Sequence, residues 1–180
     1  MKYISVLRGI NVGGHKKILM VDLKNLYKKL GYTQILSYIQ SGNVVFDSDN
    51  GDRNFIVSAI ETAISKQYGF DVTVIIRTHA EIKHAIKNMP YGDIDLVADG
   101  AKYFLTLLSE NPSKENSQLL MGYVKPPEQM TIEGNHIYTH YPNGAGRSKL
   151  TNALMENKLK VKATSRNWKS LVKLIELSSD

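Results

Sequence analysis

Apolar and polar residues alternate from Tyr3 to Leu7, which predicts a strand, and the period then lengthens. Met20, Leu23, Tyr27 and Leu30 share one helical face, with Gly31 placed to cap it. Two short strands are predicted next, Ile35 to Ile39 and Val44 to Asp47, joined by Gln40-Ser41-Gly42-Asn43, a glycine-containing turn that suits a hairpin. Ile56, Ile60, Ala63 and Ile64 mark a helix ending near Gly69. The β-branched run from Val72 to Ile76 reads as a strand, and Ile82, Ile86 and Met89 give a further helix. The predicted order is βαββαβα.

Pro90, Gly92, Gly100 and the aspartates 93, 95 and 99 make residues 91–101 a linker, between an N-terminal half at 1–90 and a C-terminal half at 102–180. The same order then returns. Tyr103 to Leu108 is a strand, Asn111-Pro112 opens a helix ending near Gly122, and Met130 to Glu133 pairs with His136 to His140 through Gly134-Asn135. Lys149 to Asn157 reads as a helix and Lys160 to Lys162 as a weak strand. Trp168, Leu171, Val172 and Ile175 line the face of a last helix. Side-chain identities do not repeat, so the duplication rests on element order. The order βαββαβ is that of the ferredoxin-like split βαβ unit, so the expected fold is α+β: two ferredoxin-like halves, each with an extra C-terminal helix.

Composition narrows this picture. With 180 residues, 42% of them apolar, the chain is able to bury a sizeable core. It has no cysteine, which excludes disulfides and thiolate chemistry and accords with a reducing compartment. Arg8 and Gly9 interrupt the first apolar run, and no later run approaches the ~18 residues of a membrane span, so a cytoplasmic protein is expected. Charge is localised. Residues 144–174 carry eight basic side chains against the single acid Glu156, a net +7, whereas the whole chain is +6. The excess surrounds Gly144-Ala145-Gly146-Arg147-Ser148-Lys149 and Thr164-Ser165-Arg166-Asn167-Trp168, both predicted to open helices. Free N–H groups at a helix start favour an anion, and arginine there works against the helix dipole unless something negative is bound.

Several blocks together resemble the signature of the DUF1697 family. They are Leu7-Arg8-Gly9-Ile10-Asn11-Val12-Gly13-Gly14 with Met20, Gln40-Ser41-Gly42-Asn43-Val44, Ser148-Lys149-Leu150, and Thr164-x-Arg166-Asn167-Trp168. The resemblance runs from Tyr3 to about Leu177 and implies a two-part α+β fold in a group of uncharacterised, mostly bacterial proteins, without implying a reaction. Leu19 stands where relatives commonly carry proline, a departure that touches only the entry to the first helix.

Candidate ligand-binding residues follow from the loops: Arg8, Asn11, Gly13, Gly14 and Lys17 in the first, Ser41 and Asn43 in the hairpin turn, then Arg147, Ser148, Lys149, Arg166 and Asn167. The Gly9–Gly14 segment either cradles an anion or is a tight connection that needs positive φ. It is no Walker loop, because His15 stands where that motif needs lysine and helical periodicity starts only near Met20; its glycine spacing is not that of a Rossmann fingerprint. Ser41-Gly42-Asn43 is first of all a turn. Ser148 is the natural cap of the helix after it, and Thr164 or Ser165 that of the last helix, with Arg166 and Asn167 in its first turn. An internal acidic partner is the rival reading of Arg166.

No metal site is expected: His136 and His140 lie about 13 Å apart along a strand, His79 and His84 share no helical face, and the aspartates 93, 95 and 99 lack the calcium-loop pattern. No nucleophile elbow surrounds Ser41 or Ser148, so the catalytic residues are unknown and no cofactor is implied. Three functions remain: a module binding nucleic acid or a nucleotide-like anion in a basic cleft between the halves, an enzyme acting on a phosphorylated metabolite, and a surface for an acidic protein partner. RNA-recognition modules stack bases on rings of the third strand. Asn43 and Val45 occupy that alternation in the first half, which favours backbone contact over base readout.

Overall fold

Strand β1 (Lys2–Leu7) is hydrogen-bonded on both sides, antiparallel to β3 (Asn43–Asp47) and to β4 (Val74–Thr78), and β2 (Thr33–Tyr38) adds to β3. The resulting sheet has the order β2-β3-β1-β4. Helices α1 (Met20–Lys29), α2 (Arg53–Tyr68) and α3 (His79–Lys87) complete the first set of elements. The second set repeats it. Strands β5 (Tyr103–Leu108), β6 (Gln129–Glu133), β7 (His136–His140) and β8 (Ala163–Asn167) form a sheet of order β6-β7-β5-β8, with helices α4 (Lys114–Met121), α5 (Asn152–Leu159) and α6 (Trp168–Ser178). This is the expected α+β fold of two ferredoxin-like halves, each followed by a helix. The structure, a computed structural model, describes residues 1–179. No helix among them is long and apolar enough to cross a membrane.

The chain divides into one unit of Met1–Ala85 plus the residues from Lys173 onward, and a second of Ile86–Val172. The sequence reading places the boundary a few residues later and gives the whole C-terminus to the second half. The end of α6 belongs instead with the first unit, where Ser178 Oγ lies 2.8 Å from His79 Nδ1. Residues 91–101, expected as a linker between the halves, hold no helix or strand and lie within the second unit, where Asp95 accepts from the N–H groups of Val97 and Ala98.

Each unit has its own core. In the first, Tyr3, Leu7, Val44, Phe46 and Ile76 of the sheet pack with Leu23 and Tyr27 of α1 and the i, i+4, i+8 stripe Ile56, Ile60, Ile64 of α2. In the second, Leu108, Ile137 and Ala163 pack with Leu120 of α4 and Met155 and Leu159 of α5. Each fully buried aliphatic side chain contributes about 1.5–3 kcal/mol. One buried hydroxyl sits at the same place in each central strand. Ser5 is 2.9 Å from the Tyr27 hydroxyl, and Thr106 is 2.6 Å from the Ser165 hydroxyl.

Strand register reveals a repeat of side chains that element order conceals. Ile4 lies opposite Val45 and Arg77, and Leu105 lies opposite Tyr138 and Arg166, so Arg77 and Arg166 occupy equivalent positions. Both donate from Nη1 to the carbonyl of the preceding residue, Ile76 at 2.9 Å and Ser165 at 2.8 Å. The next residue in each case caps the following helix: Thr78 Oγ1 accepts from Glu81 N, and Asn167 Oδ1 accepts from Ser170 N. In α3 the cap is reciprocal, since Glu81 Oε2 accepts from Thr78 N at 2.7 Å, and Arg53 holds the same carboxylate at 2.9 Å.

Three local expectations are corrected. Helix α5 starts at Asn152, not Lys149, because Thr151 rather than Ser148 caps it by accepting from Leu154 N. The last strand is Ala163–Asn167, not Lys160–Lys162; Lys160 is the left-handed C-cap of α5 at φ 61°, which turns the chain before pairing begins. Consequently Arg166 and Asn167 lie in a strand and not in the first turn of a helix. Thr164 and Ser165 look like caps in sequence, but their backbones belong to the β5 ladder. Helix α4 likewise begins after Asn111-Pro112, at Lys114, with Ser113 as its cap.

Burial opposes the charge on Glu81, but the Thr78 N–H and Arg53 outweigh it and hold its carboxyl below the ordinary value of 4.5. A depressed folded value means that this contribution is fully present above the unfolded pKa and is lost as pH falls through the folded one. Glu81→Gln is therefore expected to cost about 1 kcal/mol at neutral pH and to flatten the decline of stability below about pH 4.5, read by urea denaturation across pH.

Candidate functional site

The glycine-rich connection between β1 and α1 is closed by its own residues. Asn11 adopts φ 56°, and its amide nitrogen donates to the carbonyls of Ile18 (2.9 Å) and Gln40 (2.8 Å) while its oxygen accepts from Ile18 N. One side chain thus ties the loop to the helix entry and to the hairpin turn. Gly9, Gly13 and Gly14 all have positive φ, and Val12 and His15 form an isolated bridge, so the segment is a tight turn whose left-handed backbone favours glycine. Arg8 is half-buried, Lys16 donates to the Asp71 carbonyl, and Lys17 is exposed beside a shallow concavity of about 310 Å³ with Asn11, Gly14 and Gln40.

The hairpin turn is similarly committed. Asn43 is fully buried and donates to the Tyr38 carbonyl (3.0 Å) and the Ser41 hydroxyl (2.9 Å). Gly42 has φ 79°, and a Cβ there would stand 2.7 Å from Leu7 Cβ, so both conformation and space require glycine. Asn11, Ser41 and Asn43 therefore serve chiefly to hold the turn and the loop together.

Arg166 lies in β8, 8% exposed, on the sheet face away from α4 and α5. It donates to Thr164 Oγ1 (3.0 Å) and to the Ser165 carbonyl, and burial pushes its pKa down to about 10. Arg77, its counterpart, is 4% exposed and also pushed down to about 10, by burial first, against a favourable field from Glu81. Asn167 is occupied as the cap of α6.

Arg147, Ser148 and Lys149 present a different arrangement. Their loop is anchored at both ends by core residues: Tyr141 is buried, donates from its hydroxyl to the Leu150 carbonyl at 2.9 Å, and packs edge-on against Phe104. Burial raises the Tyr141 pKa to about 12, so the donor is a neutral phenol. Gly144 N bonds the Tyr141 carbonyl, Arg147 N bonds Gly144, and Ser148 Oγ accepts from Leu150 N, which gives one 3-10 turn over Ala145–Arg147. The backbone is pinned while the Arg147 and Lys149 side chains are exposed.

Two adjoining concavities meet at this loop. One, of about 530 Å³, is lined by Tyr123, Lys125, Glu128, Arg147, Ser148, Lys149 and Leu154 with Gly122. The other, of about 340 Å³, shares Lys125, Glu128 and Arg147 and adds Pro126, Pro127, Asn143 and Gly144. At their edge Lys158 of α5 places its ammonium 4.7 Å over the Tyr123 ring. Three cations therefore face one acid along the larger wall, with a fourth close by, and a half-exposed ring lies among them.

The family model described as protein of unknown function (DUF1697) matches residues 1–138. The chain belongs to the DUF1697 family. The match covers Met1–Ala85 of the first unit and the second unit through Tyr138 of β7, and the Arg147 loop and strand β8 with Arg166 lie beyond it. A solved structure of similar fold is "The structure of conserved bacterial protein SP0830 from Streptococcus pneumoniae", 20% identical, with a TM-score of 0.76 over 99% of this chain and 98% of that one. No curated protein matches.

Within this DUF1697 chain, Arg147, Ser148 and Lys149 are brought together, as are Asn11, Gly14 and Lys17 in the first unit. Sequence reading omits Tyr123, Lys125, Glu128 and Lys158 from the site. Lys125 and Glu128 flank a Pro-Pro pair, and neither carries a motif; only the fold sets them beside Arg147. The contrast between the two C-terminal arginines is testable. Arg166→Ala empties an interior position and is expected to cost about 2–4 kcal/mol, whereas Arg147→Ala should stay within about 0.5 kcal/mol, both by denaturant titration.

Proposed function

We propose that this protein binds a phosphate-bearing, nucleotide-like anion at the Arg147 concavity of the second unit. The observation that carries this reading is convergence: Lys125 from the segment before β6, Arg147 and Lys149 from the loop before α5, and Lys158 from α5 approach one hollow that also holds the Tyr123 ring. Like charges gathered on a pinned loop repel one another, and an anion relieves that repulsion without reordering the backbone. The volume is that of a small-molecule site, and a nucleotide supplies both partners the wall asks for, phosphate for the cations and a flat base for the ring. The same unit, free or within a nucleic acid strand, satisfies this chemistry. A cytoplasmic, bacterial setting accords with the cysteine-free chain and with the family.

The test is salt dependence. Anisotropy of a labelled oligonucleotide and calorimetry of a mononucleotide should both weaken with salt, by about one unit of log affinity per phosphate contact, and Arg147→Ala and Lys149→Ala should each lower that slope by about one. Affinity unmoved by either substitution, or binding indifferent to salt, contradicts the reading. A melting screen with sugar phosphates identifies a phosphorylated metabolite if nucleotides leave the protein unshifted.

A further inference from the structure

A base at Tyr123 and a phosphate on the cations leave the smaller of the two hollows without an occupant. That hollow, of about 340 Å³, shares Lys125, Glu128 and Arg147 with the larger one and is otherwise lined by Pro126, Pro127, Asn143 and Gly144. It differs in kind from its neighbour. The larger hollow has the Tyr123 ring and Leu154, whereas the smaller has no aromatic side chain, two proline rings, and polar groups of both signs.

Glu128 is the acid that lines both hollows, and it is half-buried. Its N–H donates to the Lys125 carbonyl at 2.9 Å, which closes a turn through the two prolines and sets its position. Lys125 and Arg147 line the same wall. Yet among the described residues the Glu128 carboxylate makes no ion pair or side-chain hydrogen bond, and neither does the Asn143 amide. A carboxylate held apart from the cations beside it is a strong acceptor for hydroxyl groups, and an amide both donates and accepts. The proline rings add apolar surface for the C–H face of a saturated ring. A second base finds nothing here to stack on, and a second nucleotide's phosphate would meet the carboxylate, so the lining suits a polyhydroxylated ring better than a further unit of a strand.

We propose that the ligand of this site is a nucleoside diphosphate joined to a sugar, with the base against Tyr123, the diphosphate along Lys125 and Arg147 at the shared wall, and the sugar hydroxyls on Glu128 and Asn143. The inference rests on the anion site above and narrows its ligand to one whose phosphates bridge two different groups. The bridge accounts for the acid. Against a bare nucleoside diphosphate Glu128 only repels, whereas against the conjugate it accepts from hydroxyls, and the esterified diphosphate carries less negative charge to oppose it.

Calorimetry of the full chain at one salt concentration compares matched pairs, ADP with ADP-glucose, UDP with UDP-glucose and GDP with GDP-mannose, alongside a single-stranded oligonucleotide. Cations alone favour the bare diphosphate, the more negative member of each pair. In at least one pair the conjugate is nevertheless expected to bind about 5- to 50-fold tighter. Glu128→Ala and Asn143→Ala should each lower that ratio of affinities about 3- to 30-fold, and Glu128→Ala should also tighten the bare diphosphate. As a measurement that needs no variant, saturation transferred from the wild-type protein should reach the sugar protons of the bound conjugate as strongly as those of its base. Bare diphosphates that bind at least as tightly as every conjugate, variants that leave the ratio unchanged, sugar protons that take up no saturation, or an oligonucleotide bound tighter than every conjugate each overturn the proposal and leave the Arg147 site standing. Failure of every nucleotide and of the oligonucleotide removes both.

Discussion

Strand β5 is the constraint on which the second unit turns. It is bonded along both edges, so every residue from Phe104 to Leu107 is assigned a face and two opposed neighbours at once. A slip of this strand by one residue would exchange its two faces, bringing Leu105 against the helices and carrying Thr106 and Leu108 out of the core. The hydroxyl pair Thr106–Ser165 and the packing of Leu108 with Ala163 fix the register. That register then places Tyr103 against His140 at one end of the strand and Arg166 near its middle. β1 performs the same task in the first unit, where the Ser5–Tyr27 contact stands in for Thr106–Ser165.

Two loops that look alike in composition have been put to different uses. The glycine-rich segment after β1 consumes its polar side chains internally: Asn11 alone satisfies three backbone groups. The loop after β7 does the reverse. Tyr141 and Leu150 anchor it from the core, its backbone groups bond to one another, and the Arg147 and Lys149 side chains remain at the surface. Rigid backbone with exposed cations is the pre-organised arrangement that ligand binding requires, since little order remains to be imposed.

The positive charge of the C-terminal stretch is likewise divided by the fold. Arg166 is interior and matched by Arg77 at the equivalent register position, which marks it as part of the repeated architecture. Lys173 pairs with Glu176, and Lys169 donates to the Val97 carbonyl. Arg147, Lys149 and Lys158 remain around one hollow and are joined there by Lys125, which no charge count along the chain would have grouped with them.

From the chain alone, periodicity determines the existence and order of the elements, the duplication and the split βαβ class, because burial of one face imposes a period of two or of 3.6 whatever the partner. The hairpin turn is equally legible at Gly42, whose conformation and contacts admit nothing larger. The polar stretch from Thr164 to Asn167 was not, since serine, threonine and asparagine serve caps and strands alike, and it is pairing with β5 that makes this one a strand. Tertiary structure alone decided that Arg166 is buried, that Thr151 caps α5, and that Lys125 and Arg147 line one hollow. These depend on which residues lie across a ladder or at either end of a pinned loop, and such distances in space leave no trace in local sequence.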